Sequence, residues 1–150
     1  MTNNVDRVAD RCEEINEVTV ALREHDRRLS KDAKDELRRC FKIAKNLFSA
    51  SVEAVTLGDE QIAEKVTKEK NRMRKAQKNC NKAHLSRVKS KSCDADMTAN
   101  YSNILYNLDR IADNCVGIAE EAMDHVMLVR LEDLEDSELE QLNAEMGETE

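Results

Sequence analysis

Across 150 residues there is no proline, and the only three glycines stand at positions 58, 117 and 147. Proline costs about 3 kcal/mol and glycine about 1 kcal/mol in a helix interior, so a chain lacking both carries few points at which a helix must stop. Ala, Leu, Glu, Lys and Arg, all strong helix formers, fill the intervals. An all-α protein follows. With no Trp and 3% aromatic residues, the core has to be built from Leu, Ile, Val, Ala and Met packed between helices. That excludes a large aromatic-lined cofactor pocket. The length suits one domain burying roughly two thirds of its extended-chain surface.

Periodicity and punctuation divide the chain into four helices. The first spans about 3–28, with Val5, Val8, Cys12, Ile15, Val18 and Leu22 recurring at steps of three and four. Ser30 offers an N-cap to the second, whose stripe includes Leu37, Cys40, Ala44, Leu47 and Phe48, and Gly58 closes it. Asp59 caps a third helix to about Leu85, and "SKSCDAD" at 90–96 forms the loop before a long fourth helix. Short connections between long helices predict an antiparallel, up-down bundle of four main helices over residues 1–130. Residues 131–150 hold nine Asp or Glu and no Lys or Arg, and read as an acidic tail, a frayed helix end or a disordered one.

Charge elsewhere is also sorted. Residues 65–91 carry eleven Lys or Arg against the single acid Glu69. Without aromatic stacking residues or a binding motif, no nucleic-acid partner is expected. The basic stretch reads instead as a solvated face or a docking surface for the acidic tail.

The five cysteines, at 12, 40, 80, 93 and 115, are odd in number and lack paired spacing, and no N-terminal apolar segment resembles a secretory signal. These features point to a reducing, cytosolic setting. No apolar run approaches the roughly 20 residues of a membrane span. Cys80 and His84 stand one helical turn apart, and with Cys93, Asp94 and Asp96 they offer zinc-ligand types, although no CxxC pair is present. The competing reading makes His84 a helix-terminal residue bonding the last carbonyls, Arg87 a packing or acid-pairing residue, and Cys12 and Cys115 core residues. There is no glycine-rich phosphate loop, no nucleophile elbow and no Cys–His pair with an orienting third group, so no enzyme is expected.

The chemistry-bearing feature is a repeat. "VDRVADRCEEINE" opens the chain at 5–17, and "NLDRIADNCVGIAEE" stands at 107–121. At an offset of 103, seven of twelve positions from Asp6 to Glu17 are identical to those from Asp109 to Glu120, and the charged positions repeat with the apolar ones. On the fourth helix, Asp109 and Asp113 fall about 100° and 140° from the centre of the apolar stripe, beside each other on one flank. Like charges at that spacing call for a cation between them, either a neighbouring Lys or Arg or a metal. In an up-down bundle the first and fourth helices are antiparallel neighbours, and the two copies come within about two turns of one level. Four carboxylates there would give all-oxygen ligation, suited to Mg²⁺, Ca²⁺, Mn²⁺ or iron.

"LDRIADNCVGIAE" resembles the signature of PhoU domains. The longer stretch "AHLSRVKSKSCDADMTANYSNILYNLDRIADNCVGIAEEA" is similar to the end of the PhoU-like domain that follows the membrane part of bacterial sodium/phosphate cotransporter-family proteins. The resemblance covers about residues 3–127. It implies a regulatory domain of a sodium-dependent phosphate transporter, cytoplasmic and held at the inner face of the membrane. Its partner is then the membrane transporter domain, or a phosphate-signalling protein if the chain is a free-standing adaptor, with a homodimer also open. It further implies metal ligation by Asp6, Asp10, Asp109 and Asp113, with iron, manganese, zinc or magnesium as candidate ions. Two departures stand out: Asp replaces the commoner Glu as first acid, and an Asn often found four residues after the second acid is Gly117 in one copy and Glu14 in the other. Glu14 thereby becomes an added candidate ligand. A metal-free helical interaction scaffold is the remaining alternative.

Overall fold

A computed structural model of the chain describes the backbone of residues 2–147 and the side-chain surroundings of 3–121, 123 and 124. It contains four long helices: α1 (Thr2–Glu24), α2 (Lys31–Leu57), α3 (Glu60–Lys89) and α4 (Thr98–Gly147), with a short 3₁₀ turn at Ala95–Met97 before α4. Among the described residues there is no strand, as the scarcity of breakers requires. The α4 backbone stays helical through most of 131–150, the segment read as a frayed or disordered tail; the side chains there lie outside the described residues.

The expected caps form. Ser30 Oγ accepts a hydrogen bond from the Ala33 N–H at 3.2 Å, satisfying one of the donors a helix start leaves open. Gly58 ends α2 in the left-handed region at φ 60°, and its N–H donates to the Ala54 carbonyl at 2.9 Å. Asp59 immediately caps α3, accepting from Gln61 N–H at 2.8 Å and Ile62 N–H at 3.3 Å. Two boundaries differ from the periodicity reading. α1 stops at Glu24, where Asp26 takes φ 48°, and α3 runs on to Lys89, one turn past Leu85.

Helices α2, α3 and α4 pack on one another, whereas α1 packs chiefly along α4. Asn4 Nδ2 donates to Glu121 Oε1 at 2.6 Å, Arg11 Nη1 to Asn107 Oδ1 at 3.4 Å, and Arg27 lies 3.6 Å from Asp96. Rising numbers on α1 meet falling numbers along α4, so the two are antiparallel. At Gly117 the Asn4 side chain lies over the bare backbone, and a Cβ there would stand 2.8 Å from Asn4 Nδ2 and displace that amide. The hub is α4. Its residues Tyr101, Ile104, Leu105, Leu108, Ala112 and Cys115 are almost wholly buried, which a helix covered on several sides demands.

Charge also enters the core. Glu36 of α2 is buried and receives Arg87 of α3 in a two-pronged pair, Nη1 to Oε1 at 2.8 Å and Nη2 to Oε2 at 2.7 Å, while the Tyr101 hydroxyl of α4 donates to Oε2. His84 stacks on Tyr101 with ring centroids 4.8 Å apart, and its Nε2 sits 3.0 Å from Thr98 Oγ1. It is therefore a core histidine, not one bonding terminal carbonyls. Burial acts to raise the Glu36 pKa, but the hydrogen bonds from Arg87 and Tyr101 and the charges of Arg87 and Arg39 outweigh it and hold it below the usual value. His84 is held below its ordinary value by burial and by Arg87, partly opposed by Glu36.

Two outcomes follow from this knot. Arg87→Met strands a buried carboxylate and should cost about 3–5 kcal/mol in chemical denaturation, whereas Glu36→Leu/Arg87→Met should cost much less. Both depressed groups also bind protons more readily in the unfolded chain. Stability should decline as pH falls below about 6.5 through His84 and again below about 4.5 through Glu36. Urea midpoints between pH 8 and pH 4 check the sign, since a flat profile would mean that neither group is linked to folding.

Candidate functional site

The repeat in α4 lies where all the helices converge. Asp109 is 6% exposed, and its Oδ1 is buried without a hydrogen-bond partner among the described residues. Arg110 Nη2 reaches Asp113 Oδ2 at 2.6 Å and Asp109 Oδ2 at 3.7 Å. Lys70 of α3 pairs with Asp113 Oδ1. The Arg110 guanidinium also lies 5.5 Å from the Tyr106 ring centroid, within cation–π range. The cation that two aspartates one turn apart require is thus supplied twice, once from α4 itself and once from α3. Lys70 was visible in the sequence only as one of the basic residues in 65–91.

The α1 copy has a different setting. Asp6 and Asp10 are exposed, and Glu14 pairs with Arg11 at 2.7 Å. The antiparallel contacts from Asn4 to Arg11 put the two motifs at one height on neighbouring helices. They occupy different surroundings at that height: Asp113 meets α3, whereas α1 has α4 as its principal neighbour. Among the described residues, no group of three or more His, Cys, Asp or Glu side chains is arranged to hold a metal.

The cysteine-histidine set is also dispersed. Cys80 Sγ faces Cys40 Sγ at 3.8 Å across α2 and α3. Cys93 Sγ lies 3.8 Å from His84 Nδ1, Asp94 caps the 3₁₀ turn through the Asp96 N–H at 3.0 Å, and Asp96 pairs with Arg27. Arg87 pairs with an acid, as the sequence suggested. Cys115 is buried as expected; Cys12 is exposed, because α1 leaves an apolar groove of about 440 Å³ open against α2 and α4. Val5, Phe41 and Phe48 line it with Cys12, over Leu108 and Ile111.

Long helices whose charged residues hold one another, with an apolar groove left open along one seam, define a helical interaction module. Residues 37–122, more than half of the chain, match the PhoU domain, and the chain belongs to that family. The matched segment is α2 from Leu37 onward, α3 and the buried part of α4, the three helices that pack mutually; α1 with Asp6, Asp10 and Glu14 lies outside it. PhoU domains are regulatory and scaffold units in phosphate homeostasis, acting through interactions with other proteins. No curated protein and no solved structure matches the chain. Among the described residues, no helix is long and apolar enough to cross a membrane.

Lys70→Met removes the one cation that α3 places on Asp113 and should destabilise the fold by about 1 kcal/mol, as suits a partly exposed ion pair. The cost should stay well below that of Arg87→Met in the same denaturation assay. Equal costs would mean that the Lys70 pair is as deeply coupled as the core knot.

Proposed function

We propose that the chain is the cytosolic regulatory domain of a sodium-dependent phosphate transporter, and that Asp109 and Asp113 are the residues through which it holds a metal ion. The order of phrases between residues 83 and 122 supports the transporter setting. The metal reading rests on one observation, the buried Asp109 Oδ1 without a hydrogen-bond partner among the described residues, beside a second carboxylate. A carboxylate oxygen out of water and without a donor is costly, and a divalent cation relieves that cost. The two residues supply too few oxygens for a complete shell, so water or a partner's groups have to supply the rest.

Such an ion would compete with Lys70 and Arg110 for Asp113. Since Lys70 belongs to α3 and Asp113 to α4, ion entry weakens a tie between two helices, and metal occupancy is thereby linked to their packing. A second reading, a free-standing adaptor for a phosphate-signalling protein, draws on the apolar groove between α1 and α2, where Val5 and Phe41 are 40% and 43% exposed.

The test is elemental analysis after exposure to iron, manganese, zinc and magnesium, alongside Asp109→Asn/Asp113→Asn. Stoichiometric metal in the parent that disappears in the variant, with circular dichroism unchanged, is the expected result. Equal trace metal in both would remove the ion from the proposal and leave regulation by protein contact alone.

A further inference from the structure

Between α2 and α3 lies an open cleft of about 710 Å³, and among the described residues none of α4 lines it. It is separate from the aspartate pair. Its walls carry Arg39 and Lys42 from α2 and Arg72 and Lys75 from α3, four cations in two pairs, each pair spanning about one helical turn. All four side chains belong to exposed residues. Among the described residues the single carboxylate in the lining is Glu36, whose charge is already held by Arg87. Arg72 touches Glu69 at 3.4 Å on the exposed side of α3; Lys42 and Lys75 have no carboxylate partner among the described residues.

The rest of the lining is neutral. Asn46 and Asn79 offer amide donors, and Ile43 and Ala76 are apolar. At the floor, burial and the neighbouring Cys80 push the Cys40 thiol up to about 12, so it stays protonated and adds no negative charge. Four cations around a concavity repel one another, and an anion bearing several charges relieves that repulsion. The volume falls within the range of small-molecule sites. Among the described residues no aromatic side chain lines the cleft, so no aromatic platform is offered to a nucleobase.

We infer that the α2–α3 cleft is a binding site for an oligophosphate, recognised through a chain of two or more linked phosphoryl groups by Arg39, Lys42, Arg72 and Lys75. This site stands apart from the metal reading of Asp109 and Asp113, so either can fail alone. Orthophosphate, with a single phosphoryl group, engages fewer of the four cations. A nucleoside triphosphate is bound through its phosphate chain, without a contribution from the base.

Calorimetric titration of the full chain in metal-free buffer, with sodium tripolyphosphate, ATP and orthophosphate as probes, tests the inference. One tripolyphosphate per chain is expected, with ATP within about threefold of it and orthophosphate at least about tenfold weaker, since one phosphoryl group engages fewer charge-assisted contacts. Lys42→Gln/Lys75→Gln, at exposed positions that leave the core intact, should weaken tripolyphosphate binding about tenfold or more. Lys65→Gln/Lys82→Gln makes the same charge change elsewhere on α3 and should leave binding within about twofold. Absence of binding, equal losses in both variants, or ATP binding far more tightly than tripolyphosphate would each overturn the assignment.

Discussion

The pairing of Glu36 with Arg87, closed by the Tyr101 hydroxyl, joins α2, α3 and α4 near the end of the bundle where α2 and α4 begin and α3 finishes. Apolar side chains alone leave long helices some freedom to repack after a one-turn slide, at the cost of cavities and overpacking where large and small residues are mismatched. A buried carboxylate admits no such freedom, since a guanidinium one turn away leaves both charges without partners. The register set there carries along the helices. His84 meets Thr98, Asn81 meets Ser102, and Lys70 meets Asp113, each step back along α3 matched by a nearly equal step forward along α4. The cation beside the PhoU motif thus sits in the same register as the ion pair several turns away.

Helix number, the caps at Ser30, Gly58 and Asp59, and the burial of α4 were legible because each is written locally, in spacing or in a single residue's conformational preference. The Glu36 knot left a fainter mark. Glu36 falls on the α2 stripe among Ala33, Leu37 and Cys40, and Arg87 continues the seven-residue series Val66, Met73, Cys80 on α3. A charged residue on an apolar stripe signals a buried partner, but pattern alone does not say which cation meets which acid. Cys12 shows the reverse difficulty. It lies on an apolar stripe and is still exposed, because α1 has one main neighbour where α2, α3 and α4 each have at least two.

The same difference in neighbours separates the two copies of the repeat. Sequence correctly placed α1 and α4 side by side and antiparallel, and it put the two motifs near one height. What it could not supply was the third helix. α3 stands against α4 and brings Lys70 to Asp113, and α1 has no equivalent helix against it, so Asp6 and Asp10 remain at the surface. Identical phrases thus have different electrostatic settings, decided by which helix lies alongside and not by the phrase itself.

Helical geometry gives the basic residues of α3 different partners. Lys70 and Arg87 turn to acids on α4 and α2, whereas Arg72 and Lys75 turn to the cleft that α2 shares. Lys70 and Arg72 are two residues apart, about 200° around the helix, and so cannot serve the same face. A rigid helix carrying opposed electrostatic contacts cannot rotate to improve one without disturbing the other. An anion drawing Arg72 and Lys75 toward α2 and a cation displacing Lys70 from Asp113 would thus act on the same body from opposite sides. In a PhoU domain built this way, α3 is the element on which both charges would act, and its Arg87–Glu36 pair ties the C-terminal end of that helix to α2.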